Sequence, residues 1–449
     1  MTRHHGGFGA RGAWRGRLLV AAGLVLVAFT LRTAVTSVPP LTDSIAREMF
    51  LPSWLVGVLG MLPTALFGVA GLLTPLLMRL WSVEAIAVAA MVASAIGQTV
   101  RALAPETGLF LAGSALALAG MGAGNIVLPP IVRKYFPARI GLFTSLYVSV
   151  INLGTTVPPL LAVPIADAVG WRMSLGWWAA VNVVAILPWL SVWPARSGTR
   201  GGGRAVDAAP RRADGAHDGA PPPRVVVRPW RAPAAWALAF LFGCTSLNTY
   251  TMFAWLPSIV TGAGLSAAEA GVQLSIFAGL GLPLSLAVPI LATRLRSPFP
   301  VVAFGVLTFL VGYVGLLVAP GSVTWLWSTL AGLGPATFPL ALVLVNLRTR
   351  SHQASGAVSG FAQGIGYVAA CSGPLVAGLL HDATGGWTAS FLFLGVTLAV
   401  MGVSGWVISR PHFIDDHPRV VEPVDGRWGD DGAGDAVSTR TRRAGRLGG

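Results

Sequence analysis

Residues 18–40 read LLVAAGLVLVAFTLRTAVTSVPP. A bilayer core takes about 20 consecutive apolar residues in helical form, and this stretch is long enough. It differs from a plain anchor in two places. Arg32 puts a permanent charge near the middle, and Pro39-Pro40 removes two successive backbone donors at the end. The apolar character is continuous and does not alternate, which excludes a membrane barrel. The stretch outruns the apolar part of a secretory leader, contains Arg32 and lacks a small-residue cleavage site, so it is read as a retained span.

Eleven more stretches pass the same test, near 54–78, 83–103, 108–131, 140–165, 171–193, 234–258, 267–292, 300–319, 322–346, 354–380 and 387–409. Composition agrees with them. Of 449 residues 54% are hydrophobic and 11% charged, against about 25% charged in soluble domains. Too few ionised side chains exist to cover a water-facing surface, so lipid is the expected solvent. The net charge of +14 does not point to nucleic acid, because the basic residues sit in the gaps between apolar stretches and form no contiguous patch. Cys244 and Cys371 fall inside apolar stretches and read as small apolar filler. No phosphate loop, metal-spaced His/Cys/Asp set or nucleophile–base pair occurs, so neither an enzyme nor a cofactor is expected.

The basic residues also set an orientation. Even-numbered gaps carry Arg79, Arg133, Lys134, Arg139, Arg294, Arg296, Arg348 and Arg350, whereas odd-numbered gaps carry Arg47, Arg101 and Arg172. The bias predicts that both termini are cytoplasmic. The chain then divides into a tail (1–17), a six-span bundle (18–193), a Gly-, Pro- and Arg-rich linker (194–233), a second bundle (234–409) and a second tail (410–449). The linker and both tails are expected to be cytoplasmic, and the linker and the second tail also disordered.

A shift of 215 residues brings the two bundles into register. Arg79-Leu80 falls on Arg294-Leu295, Arg133 on Arg348, Gly97 on Gly312 and Thr36 on Thr251. Gly141, Pro159, Asp167 and Gly170 fall on Gly356, Pro374, Asp382 and Gly385. A period of six spans makes the halves parallel repeats about an axis along the membrane normal, the arrangement expected of two bundles that rock about a site between them. Gly356, Gly360 and Gly364 share one face of the eleventh span and are expected to permit close helix approach. Gly120, Gly122 and Gly124 are read in the same way on the fourth.

Among ionisable residues only Arg32 lies deep in a predicted span. A central Arg costs roughly 2.5–3.5 kcal/mol on insertion scales, so it normally faces a bundle interior or a wet cavity. The nearest acid on its own helix, Asp43, is eleven residues further on, about 16 Å away. A buried cation with no fixed acid is a seat for an anion or a polarised acceptor; the alternative is a structural Arg bonded to helix carbonyls. Thr36 shares its face. Further substrate-binding candidates are Asn125, Asn152, Asn248, Tyr250, Trp255, Gln363 and Tyr367, each amide weighed against a role as interhelical glue. Gln98 and Asn182 are read as packing residues. The gating or coupling candidates are Asp43, Arg79, Arg133, Asp167, Arg294, Arg348 and Asp382.

Several blocks together resemble one family. The run Leu31-Arg32-Thr33-Ala34-Val35-Thr36-Ser37-Val38-Pro39-Pro40-Leu41 is similar to the first helix of the cyanate/nitroimidazole transporter family of the major facilitator superfamily. So are Gly122 to Pro129 with Phe136-Pro137, Ala254-Trp255-Leu256-Pro257 with Gly264-Leu265-Ser266, Phe338 to Leu342, and the block from Ser359 to Trp387. The resemblance implies an all-α fold of twelve membrane helices and carriage of a small compound across a bacterial inner membrane, with a monomer expected. It also implies that helices one, four, seven and ten line the cavity, which favours Arg32, Asn125 and Asn248. The superfamily's acidic and basic loop signature between helices two and three is reduced here to Arg79 and Glu84. Three functions stay open: transport of a small anion or polarised heteroaromatic at Arg32, broad export of lipophiles over Trp255, Phe338 and Tyr367, or a membrane sensor without flux.

Overall fold

A computed structural model describes residues 8–190, 225–410, 413–414 and 421–423. Twelve spans cross the molecule in order. Span 1 is compound: helices Phe8–Thr30, Thr33–Thr36 and Thr42–Ala46, with a 3-10 turn at Pro39–Leu41. Spans 2 to 6 are Ser53–Leu77, Val83–Leu103, Thr107–Tyr135, Ile140–Val169 and Trp171–Leu190. Span 7 is Pro233–Gly262, and span 8 is Ala267–Gly279 continued by Gly281–Arg294. Span 9 is Phe299–Val318, and span 10 is Thr324–Leu333 joined to Thr337–Leu347 through a 3-10 turn at Gly334–Ala336. Spans 11 and 12 are His352–Thr384 and Thr388–Ile408.

Eleven of the spans are long and apolar enough to cross a bilayer. Span 7 is long enough but more polar, carrying Thr245, Ser246, Asn248, Thr249, Tyr250 and Thr251 in its middle. That middle is buried almost all round, so protein rather than lipid solvates it.

The internal repeat survives at atomic detail. Gly170 and Gly385 close spans 5 and 11 with φ of 88° and 68°, a backbone region open to glycine at little cost. Each amide there donates 2.8 Å to a carbonyl four residues back, Ala166 or His381. The Ser174 hydroxyl donates to the Ala162 carbonyl at 2.7 Å, and the Ser390 hydroxyl to Ala377 at 2.7 Å. Gly97 lies against the Ala117 backbone, and Gly312 against that of Ala331. Spans 3 and 4 therefore cross as spans 9 and 10 do.

The two halves meet along one side only. Near the face opposite the chain ends, spans 2 and 5 pack on spans 11, 7 and 8. Gly57 and Gly60 abut Pro374 and Ala254, and the Ser275 hydroxyl donates to the Thr156 carbonyl at 2.9 Å. The Asn152 amide reaches Ser285 at 3.4 Å, and Thr64 Oγ1 lies 3.3 Å from Cys371 Sγ. Toward the terminal face the spans part. A Cβ built at Gly71, Gly141, Gly356, Gly360 or Gly364 would meet nothing within 4 Å. The glycine stripe of span 11 therefore lines no helix crossing here, contrary to the expectation of close approach. The fourth-span glycines do pack, Gly120 on Ala90 and Ser94, Gly122 on Ala70, and Gly124 on Leu31. The result is a wedge open to the terminal face.

Other departures from the sequence reading concern the ends. Helix begins at Phe8, inside the stretch taken as a tail, and span 1 runs past Pro39-Pro40 to Ala46. Strands β1 (Val225–Val227) and β2 (Val421–Pro423) pair antiparallel, where linker and tail were expected to be disordered. This pairing puts the end of the middle segment and the second tail on the same face. Ile414 is buried, and its amide donates to the Arg348 carbonyl at 2.8 Å. The rest of the expected linker, 194–224, and most of the tail lie outside the described residues.

Span 5 crosses span 1 so closely that a Cβ on Gly154 would fall onto the Phe29 carbonyl. Gly154→Ala should lower the unfolding free energy by about 1–3 kcal/mol, the usual cost of overpacking. Gly141→Ala, in open space, should leave it unchanged. Thermal unfolding in detergent compares the two, and equal midpoints would refute the crossing.

Candidate functional site

Span 1 breaks where its charge sits. Leu31 and Arg32 form a turn, with Arg32 at φ −123° and ψ −5°. Pro39 and Pro40 have no N–H to offer the carbonyls of Val35 and Thr36, so the helix cannot continue through them. In hydrocarbon each freed backbone group needs another partner. The Thr33 hydroxyl donates to the Thr30 carbonyl at 3.0 Å, and Thr36 Oγ1 to the Thr155 carbonyl of span 5 at 3.0 Å. The Ala34 carbonyl accepts from Arg101 Nη1 at 3.2 Å.

At the break, the half-buried Arg32 guanidinium donates through Nη1 to Tyr250 Oη at 2.7 Å. It also stacks 4.6 Å above the Phe67 ring centre. No carboxylate pairs with it among the described residues. Tyr367 lies within electrostatic range of both Arg32 and Tyr250, and its ring meets Phe242 edge-on at 5.2 Å. Phe242 in turn meets Phe338 at 5.1 Å. Spans 1, 2, 7 and 11 thus bring a cation, two phenols and an aromatic wall to the apex of the wedge. Gln363, one turn from Tyr367, is half-buried and donates to Ser359 at 2.7 Å.

The other candidates stand elsewhere. Thr36 is fully buried in the crossing of spans 1 and 5. Asn248 is fully buried inside the second half: its amide donates to the Cys244 carbonyl and Thr397 Oγ1, both at 2.8 Å, and its oxygen accepts from Tyr313 at 2.9 Å. Both of its N–H donors and its oxygen are engaged within the second half, which sets Asn248 in the packing there rather than in the cluster. Trp255 is also a packing residue, its indole donating to the Pro374 carbonyl at 2.8 Å and its ring lying 5.2 Å from Trp387. Asn152 lies at the contact between spans 5 and 8. Asn125 is half-buried on span 4, one residue past the Gly124 contact. Gln98 and Asn182 are fully buried, Asn182 donating to its own helix at Trp178.

The coupling candidates are not brought together. Asp43, Arg79, Arg133, Asp167, Arg294 and Asp382 are exposed, and none joins an ion pair between the halves among the described residues. Arg348 instead pins the chain after span 12, donating to the Ser409 carbonyl at 3.2 Å. The ion pairs seen among the described residues each lie within one half. Glu84, buried at the start of span 3, accepts from both Lys134 and Tyr135 at 2.5 Å. On the opposite face, Glu48 accepts from Arg172. That bond holds the Glu48 carboxyl below its ordinary 4.5.

One residue was missed. Arg101 was counted with the loops, yet it lies within span 3 and is fully buried against span 1. A readable signal existed: Ser94, Gln98 and Arg101, at helical spacing, form one polar stripe.

Comparison with known proteins agrees with this architecture. The Major Facilitator Superfamily family model matches residues 20–370. A protein of Escherichia coli (strain K12) named 2-nitroimidazole transporter is 28% identical over 399 residues, covering 88% of this chain and 96% of that protein. The cyanate transport protein CynX of the same organism is 26% identical over 375 residues, 82% and 92% of the two chains. Among solved structures, a bacterial homologue of the human lysosomal transporter Spinster, described as inward-facing and unoccupied, superposes with a TM-score of 0.68. It is 16% identical and covers 89% of this chain and 98% of that one.

Two outcomes follow from the geometry. In a double-mutant cycle on stability, Arg32→Gln and Tyr250→Phe should couple by about 1 kcal/mol or more, since charge-assisted hydrogen bonds contribute about 1.5–3 kcal/mol; strict additivity would show that the contact is not formed. Because the Glu48 pKa is depressed on folding, its contribution is present above about pH 4.5 and is lost as pH falls through the folded value. Acid titration of unfolding should therefore show a step in the wild type that Arg172→Gln removes.

Proposed function

The chain belongs to the major facilitator superfamily, and we propose that it carries a small anionic or polar heteroaromatic compound by alternating access, with Arg32 as the seat. That it is a multi-pass membrane transporter of small compounds, and not an enzyme, follows from the family and its relatives. The finer reading rests chiefly on one observation. The Arg32 guanidinium, at the helix break, is held by a phenol and an aromatic face and by no acid among the described residues. Guanidinium offers a planar fork of donors, and Phe67 and Tyr367 add flat apolar surface beside it. A planar anion or a nitro- or aza-substituted ring suits both.

The two relatives named for 2-nitroimidazole and cyanate support this class of cargo: both names denote small, strongly polarised compounds. The wedge supports alternating access, since spans 2, 5, 8 and 11 meet on one side of Arg32 and part on the other. On the arginine bias, both termini are cytoplasmic and the wedge opens inward, the protein residing as a monomer in a bacterial inner membrane. The described carboxylates of the spans lie near their ends, so coupling to protons, if any, runs through those ends or the cargo's own proton. Export of lipophiles is the second reading, carried by the Phe338–Phe242–Tyr367 file.

Binding of benzoate, 2-nitroimidazole and cyanate to purified protein, read by ligand-induced stabilisation, tests the assignment. Arg32→Gln should weaken the true ligand about 10- to 100-fold, corresponding to about 1.5–3 kcal/mol. Arg32→Lys should recover part of the loss. An affinity that Arg32→Gln leaves unchanged removes Arg32 from the site, and stabilisation by many unrelated lipophiles favours the exporter.

A further inference from the structure

Beside Tyr250 lies a small, partly open space of about 40 Å³. Its walls come from spans 1, 2, 3, 4 and 7, and most are apolar, Val35, Val38, Leu59 and Phe253 among them. A water needs roughly 10–15 Å³ measured in this way, so the space takes about three waters or one compact ion.

Arg101 forms one wall and is 0% exposed. Its partners are all neutral and distant: the Ala34 carbonyl and Ser37 Oγ at 3.2 Å and Gln98 Oε1 at 3.5 Å. No carboxylate pairs with it among the described residues. Its Nε–H has no acceptor, and two further groups share that condition: Gln98 Nε2 beside it and Ser114 Oγ on the cavity wall. An amide N–H and a guanidinium N–H can only donate, and a hydroxyl can donate. Water placed among them would satisfy the donors but leave the charge standing in a medium of low dielectric, where an isolated ion costs several kcal/mol. An anion meets both demands.

We propose that the space lined by Arg101 and Ser114, with Gln98 beside Arg101, is a second anion seat for a halide or a similar compact monovalent anion. It is separate from the Arg32 cluster, since Tyr250 stands between them, bonded to Arg32 on one side and lining the cavity on the other. It also acts on that cluster. Arg101 holds the carbonyl of Ala34, two residues beyond Arg32, so an anion that draws the guanidinium toward the cavity shifts the outer piece of span 1.

The test uses full-length protein in nanodiscs, titrated with sodium bromide against sodium gluconate at equal ionic strength. Bromide should raise the unfolding midpoint saturably in the wild type and equally in Arg32→Gln. Ser114→Ala and Gln98→Met, which leave the Arg101 bond to Ala34 in place, should each weaken bromide about tenfold, and anomalous scattering from bromide-soaked crystals should place the ion beside Arg101 Nε. Arg101→Gln should abolish the effect, with Arg101→Lys as the second variant should the first fail to fold. Three results overturn the proposal: no saturable difference between bromide and gluconate, an effect untouched by Ser114→Ala and Gln98→Met, or an effect lost in Arg32→Gln. Benzoate affinity, run in parallel, separates the two sites. Its dependence on Arg32 tests the cargo seat, and its indifference to Ser114→Ala is expected whatever becomes of bromide.

Discussion

Hydrocarbon does not hydrogen-bond, and the first span breaks its own ladder inside hydrocarbon. Every other feature of the centre answers to that break. The prolines at 39 and 40 strand the carbonyls behind them, and Arg32 introduces a charge at the turn. Two carbonyls of the broken span gain side-chain donors, Thr30 from the Thr33 hydroxyl and Ala34 from the Arg101 guanidinium of span 3, while the Thr36 hydroxyl ties the segment to the Thr155 carbonyl of span 5. Backbone irregularity at membrane depth survives only where protein or a cavity surrounds it. This broken segment lies where the halves meet.

The two guanidiniums at this break do different work because their surroundings differ. Arg32 is half-buried, bonded to one phenol and stacked on one ring. Much of its fork stays available to a visitor. Arg101 is sealed, spread over three neutral acceptors at long distance. A charge in the first setting can recruit cargo from an open wedge. A charge in the second is a fixed part of the scaffold whose cost must be offset in place. Tyr250, from the other half, touches both environments.

The repeat shows how far duplication constrains detail. Backbone caps, a hydroxyl-to-carbonyl tie and the close crossing at Gly97 and Gly312 recur in both halves. The polar centre does not recur. Arg32 maps to Leu247, and Arg101 to Leu316. The scaffold is symmetric because both halves must cross the same bilayer by the same contacts, while both central guanidiniums belong to the first half and the second half brings Tyr250, Tyr367 and aromatic side chains.

What the sequence determined by itself was what bilayer physics imposes locally: the number of spans, their approximate limits and the six-plus-six repeat. These follow from hydropathy, charge placement and the shift of 215 residues, none of which needs a neighbour in space. Only the tertiary structure decided which polar residues face one another. Asn248 and Trp255 share the span of Tyr250, yet they stand about 160° and 140° around that helix from it and pack within the second half. Arg101 looked like a loop residue because it is close to a helix end, and its long side chain was free to run either to water or back toward span 1. A linear chain specifies how polar a residue is and how far along a helix it stands, but helix rotation and side-chain direction are set by the partners that surround it.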